Sequence, residues 1–420
     1  MGSPSSPPSS QRRPHARNIS HPVVRRNTRG PLDIVDDDPL ANPSSVSTTK
    51  PQSQPSSSPV DLSFLLNPEL YHNPLPPASP PQHPAFPPPP SLTTTSLPTL
   101  LDSGHFRPAA SLALQTLLQQ PSPTPSTVFP LLYTRLATLI LLHRPDLAAH
   151  ESAPLAERLA RGSLDPDVVP WDLRVLLVRL QGMVGDEGGR RRGVMGLYSL
   201  AGEARAKARA TSLLNNAERE VWRDRVRDLG LRAADALVEM GELETAGRHL
   251  EGLGGEGIIF RRALLKVRVG DVKGARALLE GLEAESAERE VLHAVVEVAD
   301  GNYGAATARL RACAANGDAT AANNLAVVGL YTGHIATARQ ILEDLLHLSH
   351  HSDHSHDIDD DEAGTVLPAT PSVLFNLCTL YELCTERAGE RKEVLARRMA
   401  RRTPGPEFGG WERAGVEFKL

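Results

Sequence analysis

Gly241-Glu-Leu-Glu-Thr-Ala246, Gly270-Asp-Val-Lys-Gly-Ala275, Gly301-Asn-Tyr-Gly-Ala-Ala306 and Gly333-His-Ile-Ala-Thr-Ala338 are four renderings of one phrase, their glycines 29, 31 and 32 residues apart. A leucine follows each closing alanine by four residues (Leu250, Leu279, Leu310, Leu342), and another alanine stands seven before each glycine (Ala234, Ala263, Ala294, Ala326). Small residues at these offsets predict two helices that cross closely. The glycine ends the first helix in a left-handed conformation that residues with a Cβ resist. The leucine lies one turn beyond the second alanine, on the same helix face. Eight alanines and four glycines are therefore expected to be the packing positions of a repeat.

Composition agrees. Of the 36 prolines in 420 residues, 23 fall before residue 99 and none lies between Pro170 and Pro368. Such a stretch suits continuous helices, because an internal proline costs roughly 3 kcal/mol and removes a backbone donor. Aromatics are only 4% of the chain, which favours close helix-on-helix packing. Two antiparallel helices in about 34 residues resemble the tetratricopeptide (TPR) repeat. The first-helix tryptophan and terminal proline of that family are missing, so these repeats are degenerate. The expected fold is all-α: a TPR-like helix-pair solenoid behind a long disordered N-terminal region.

The organisation expected is a disordered Ser/Pro-rich region over 1–90, then a helical, degenerate TPR-like region over 91–220. Degenerate TPRs follow over 221–348, a His/Asp-rich disordered insertion over 349–369, a last repeat and capping helix over 370–402, and a tail over 403–420. Residues 1–90 are expected to contribute no buried core. Two islands interrupt them, Arg25–Leu40 and VDLSFLLNPELY at Val60–Tyr71; each is either a short docking motif or a chance apolar cluster in a linker. The prolines at Pro87–Pro90 read as a stiff spacer. Gly104 and Ala109 keep the five-residue spacing and mark an outlying helix pair, and further helices are expected over Phe129–Leu142 and from Trp171. Gly185–Gly193, with three consecutive arginines, reads as a solvated loop.

Chemistry is sparse. There is no Gly-rich phosphate loop and no nucleophile or zincin motif, so no enzymatic activity and no cofactor is expected. Five histidines from His347 to His356 precede five acids from Asp357 to Glu362, but too few apolar residues surround them to hold a rigid metal shell, so no metal site is expected. Three cysteines fit a reducing compartment rather than a disulfide framework. A net charge of −5 does not suggest nucleic acid as a partner. The most apolar run, Leu131–Leu142, is too short to span a bilayer and carries Arg135, so membrane association is peripheral at most. Asn323, Asn324 and Asn376, poor helix formers on expected first helices, are candidate partner contacts, with Tyr381 beside them.

Two segments carry a more specific likeness. NNLAVVGLYTG (Asn323–Gly333) and SVLFNLCTLYEL (Ser372–Leu383) resemble the C-terminal signature of the TPR-containing subunit, the twelfth, of the TRAPP (trafficking protein particle) vesicle-tethering complex. The likeness is dense over 323–395 outside the His/Asp insertion, thin over 171–322, weak over 92–142 and absent from the first ninety residues. The long head resembles a fungal-type version. The resemblance implies a non-catalytic scaffold whose partners are other TRAPP subunits and, indirectly, a Rab GTPase, in ER-to-Golgi transport and autophagy. It also implies a cytoplasmic location peripheral to Golgi and ER-Golgi membranes. The alternative, from the residues alone, is a TPR adaptor or co-chaperone of another multiprotein assembly.

Overall fold

The computed structural model describes residues 60–76, 84–86, 88, 95–211, 215–281, 286–346 and 371–400. Among these there is no strand, and sixteen α-helices follow one another in pairs. The first four pairs are α1 (Leu97–Asp102) with α2 (Phe106–Leu118), α3 (Pro125–Leu141) with α4 (Pro145–Ala160), α5 (Trp171–Val184) with α6 (Glu187–Ala210), and α7 (Asn216–Glu239) with α8 (Leu243–Glu251). The last four are α9 (Glu256–Arg268) with α10 (Val272–Glu280), α11 (Ala287–Ala299) with α12 (Tyr303–Ala315), α13 (Ala319–Tyr331) with α14 (Ile335–Leu345), and α15 (Pro371–Cys384) with α16 (Ala388–Met399). Each helix packs chiefly on its neighbours in the chain, the pattern of a solenoid.

The repeated phrase determines how each pair turns. Gly241, Gly270, Gly301 and Gly333 all have φ between 78° and 84°. At Gly241 the glycine N–H donates to Val238 O at 3.1 Å and Glu242 N–H to Leu237 O at 2.9 Å. The other three glycines repeat that pair of bonds, which satisfies carbonyls the ending helix leaves open. Ala234, Ala246, Ala263, Ala275, Ala294, Ala306, Ala326 and Ala338 are all buried, as are the four leucines. Side chains such as Asp271, Ser286 and Asp318 cap the following helices by accepting backbone N–H bonds.

The α3–α4 turn uses the same device without the glycine. His143 takes φ 57°, Arg144 N–H bonds Leu139 O at 2.8 Å, and buried Ala148 follows five residues later. Gly104 (φ 72°) and buried Ala109 do the same between α1 and α2.

Three expectations need correction. Part of 1–90 is packed: Leu62, Leu65, Tyr71 and Leu75 lie buried against α2–α5, with short 3₁₀ turns at Ser63–Leu66 and Pro68–Leu70. The rest of that stretch, the 349–369 insertion and the 403–420 tail lie outside the described residues, apart from 84–86 and 88. The expected loop at Gly185–Gly193 is mostly helix, since α6 begins at Glu187 behind the Asp186 cap. Its glycines serve close approach: a Cβ on Gly193 would stand 2.9 Å from Gly182 Cα. Finally, the stacking of the last helices predicts one core shared by Leu325, Leu342, Leu374, Leu377 and Tyr381; Leu325 instead joins the cluster around Leu310 and Cys313, while the other four pack with Ala326 and Ala338.

Beside its apolar packing, charged side chains fix where the N-terminal segment lies. Arg135, in the middle of the apolar run of α3, is 0% exposed, and so is Glu151 on α4. Its Nε and Nη2 donate to the two Glu151 oxygens at 2.9 and 2.8 Å, Nη1 to Ala110 O at 3.1 Å, and Nη2 also to His72 O at 2.9 Å. Glu151 in turn accepts His72 N–H at 3.0 Å. Arg107 on α2 donates to Leu75 O at 2.7 Å and to Pro76 O. Buried Arg135 and half-buried Arg107 thus pin residues 72, 75 and 76 through their backbone carbonyls.

Candidate interaction surface

The first helices of successive pairs form a layer of their own. α9 touches α11 and α11 touches α13 directly. Side chains join others: Arg261 on α9 donates to Asp235 on α7 at 2.7 Å, and Asn376 on α15 donates to Asn323 on α13 at 3.0 Å. The residue ten before each repeat glycine faces this joint. It is Leu231, Phe260 and Val291 in three repeats and Asn323 in the last. Two of the candidate asparagines are thus partners of each other, half-buried between the last two pairs. Asn324 lies half-buried beside them.

Tyr381 is placed differently from the expected surface contact. It is 5% exposed, within the α13–α16 cluster. Burial, together with the Glu343 carboxylate that its hydroxyl bonds, pushes the phenol above its usual range. Arg391 stands over the ring, 5.7 Å from its centre, and within 3.6 Å of Glu343. Tyr381 therefore ties α15 to α14 and α16 instead of meeting a partner.

Three large apolar residues are exposed near this joint. Tyr331 ends α13 at 73% exposure, and Phe375 and Leu383 stand exposed on α15. Neither Tyr331 nor Leu383 was singled out from sequence, though a signal existed. Each follows a core leucine (Leu325, Leu377) by six residues, which turns it roughly 240° round the helix, away from that core.

Elsewhere, three helices meet at His249. Its Nε2–H donates to Gly230 O on α7 at 2.9 Å, leaving Nδ1 to accept from Tyr198 on α6 at 3.4 Å. Burial lowers the His249 pKa below its usual value. A cleft of about 270 Å³ opens between α5, α6 and α7, lined by Met183, Val194 and Met240 and crossed by the Arg179–Glu239 pair at 2.9 Å. Among the described residues no three His, Cys, Asp or Glu side chains gather as metal ligands would, and no helix is long and apolar enough to cross a membrane. The His347–Glu362 run lies outside those residues.

No protein-family profile and no curated protein matches this chain. Among solved structures it is similar to a tetratricopeptide repeat protein from Parabacteroides merdae, at 14% identity, with 66% of this chain and 93% of that one covered and a TM-score of 0.37.

Proposed function

We propose that this chain is a non-catalytic scaffold subunit of a TRAPP-type tethering complex. Its partners are the other subunits, its effect on a Rab GTPase is indirect, and it works in the cytoplasm at Golgi and ER-Golgi membranes. The observation that carries the reading is the placement of the two signature segments. NNLAVVGLYTG lies mostly on α13 and SVLFNLCTLYEL on α15, and the Asn323–Asn376 bond joins them. Residues that resemble one family's signature thus form one continuous region, with Tyr331, Phe375, Leu383 and Asn324 around it. Aromatic and apolar side chains of this kind are enriched at protein interfaces.

Affinity purification of the tagged full chain, followed by mass spectrometry, tests the assignment. Stoichiometric recovery of TRAPP core subunits is expected. Recovery of chaperones or of an unrelated assembly without those subunits overturns it and leaves a TPR adaptor of another complex.

A further inference from the structure

The chain that precedes the first helix pair reaches the far end of the array. Residues 60–76 pack on the α2–α5 end, yet Phe86 is 4% exposed within the apolar cluster of α13–α16. Phe86 lies eleven residues after Leu75 and eleven before Leu97, the start of α1. Eleven residues span at most about 40 Å, so both ends of the solenoid lie within that reach of Phe86.

The two attachments differ in kind. The first buries four large side chains and is clamped by Arg135 and Arg107 through backbone carbonyls. The second buries one ring among the described residues: Pro84 and Pro88 are exposed, Ala85 is half-buried and Phe86 is buried. In sequence this anchor is flanked by Pro84 and Pro87–Pro90. Prolines restrict the backbone in advance, so little freedom is lost when such a segment presents one aromatic side chain. A single anchor held near its site by a short tether gains an effective concentration in the millimolar range, which makes even a weak contact occupied.

We propose that α13–α16 form a binding site for a proline-flanked aromatic residue of a partner protein, and that Phe86 occupies this site in cis as a tethered ligand. The partner's segment replaces Phe86. Exposed Tyr331, Phe375 and Leu383 on the same helices offer further apolar surface to the residues around its anchor. The inference rests on the described packing and is independent of the TRAPP-type assignment.

The test uses the full chain and a fluorescent peptide covering residues 80–92. Anisotropy titrations compare the natural chain, Phe86→Ala, and a variant with 84–88 replaced by Gly and Ser at equal length. Both variants should bind the peptide about tenfold or more tightly than the natural chain, whose site is filled most of the time. A peptide carrying the same Phe86→Ala change should bind none of them. Hydrogen exchange in α13–α16 should be faster in both variants and slow again when the peptide saturates them.

Failure of both variants to bind the peptide overturns the proposal, and so does equal binding by all three chains. If both variants lose all protection in α13–α16 and added peptide does not restore it, Phe86 is a core residue and the proposal fails. A dimer of the natural chain that is lost in Phe86→Ala would place the ring in a second copy and overturn the cis arrangement.

Discussion

Ala338 shows how little room the repeat leaves at one residue. Its Cβ lies 3.2 Å from where a Cβ on Gly329 would stand, so α13 and α14 touch at a glycine–alanine contact beside Ala326. Ala338→Leu should cost roughly 1–3 kcal/mol, measured by urea unfolding. Hydrogen exchange should speed up in α13–α15 and stay unchanged in α2–α4, because an array passes damage only to its neighbours. A variant as stable as the parent would mean that this contact is not tight. Arg135 is the opposite case, a charge whose removal leaves others stranded. Arg135→Leu should destabilise by about 3–5 kcal/mol, since Glu151 remains buried without its partner. Adding Glu151→Leu should recover part of that loss, whereas losses that simply add would show that the two groups act separately.

At the scale of the element, the docked segment 60–76 behaves as an extra strut of the first pairs. Tyr71 donates its hydroxyl to Leu65 O at 2.7 Å and buries its ring beside Leu62 and Leu75. Leu65→Ala should therefore cost about 2–5 kcal/mol by denaturant unfolding, the range for a leucine truncated in a core. Exposed Glu69→Ala is the control and should change little. If Leu65→Ala is as neutral as the control, the segment is not part of the core. Legibility in the sequence divides along the same lines. The pairs from α7 to α14 were readable because a glycine at positive φ and a small residue five later have a fixed spelling. The α3–α4 pair hid because His143 fills the glycine's place. The apolar island at Val60–Tyr71 was visible, but that it docks on the chain's own first pairs was not, for a different reason. Arg107 and Arg135 hold it by the carbonyls of His72, Leu75 and Pro76, and carbonyls belong to every residue. Arg135 signalled only that its helix does not cross a membrane, although the buried acid it needs lies sixteen residues on. Of the candidate surface, the asparagines were legible as odd residues in helices, but that Asn323 and Asn376 bond each other requires the fold.

Across the whole molecule, three histidines spread along the array share one property. His105 precedes α2, His249 lies on α8 and His293 on α11, and burial lowers the pKa of each. In the unfolded chain each titrates near the usual histidine value of about 6.5. Between that value and the lower folded one, the unfolded state binds more protons, so stability rises with pH. The stabilisation is complete above about pH 6.5 and is lost as pH falls through the folded values. Thermal unfolding should therefore be flat from pH 8 to 7 and move to lower temperature as the pH drops to 5.5. The three sites lie in different pairs, so exchange protection relative to the intrinsic rate at each pH should fall at pH 5.5 in α1–α2, α7–α8 and α11–α12 alike. His249→Gln places an amide N–H where Nε2 stood, keeping a donor for Gly230 O without a group that titrates in this window, and should remove the acid effect from α7–α8 alone. An acid response confined to one end, or one that His249→Gln leaves unchanged in α7–α8, would mean that these buried rings do not control it.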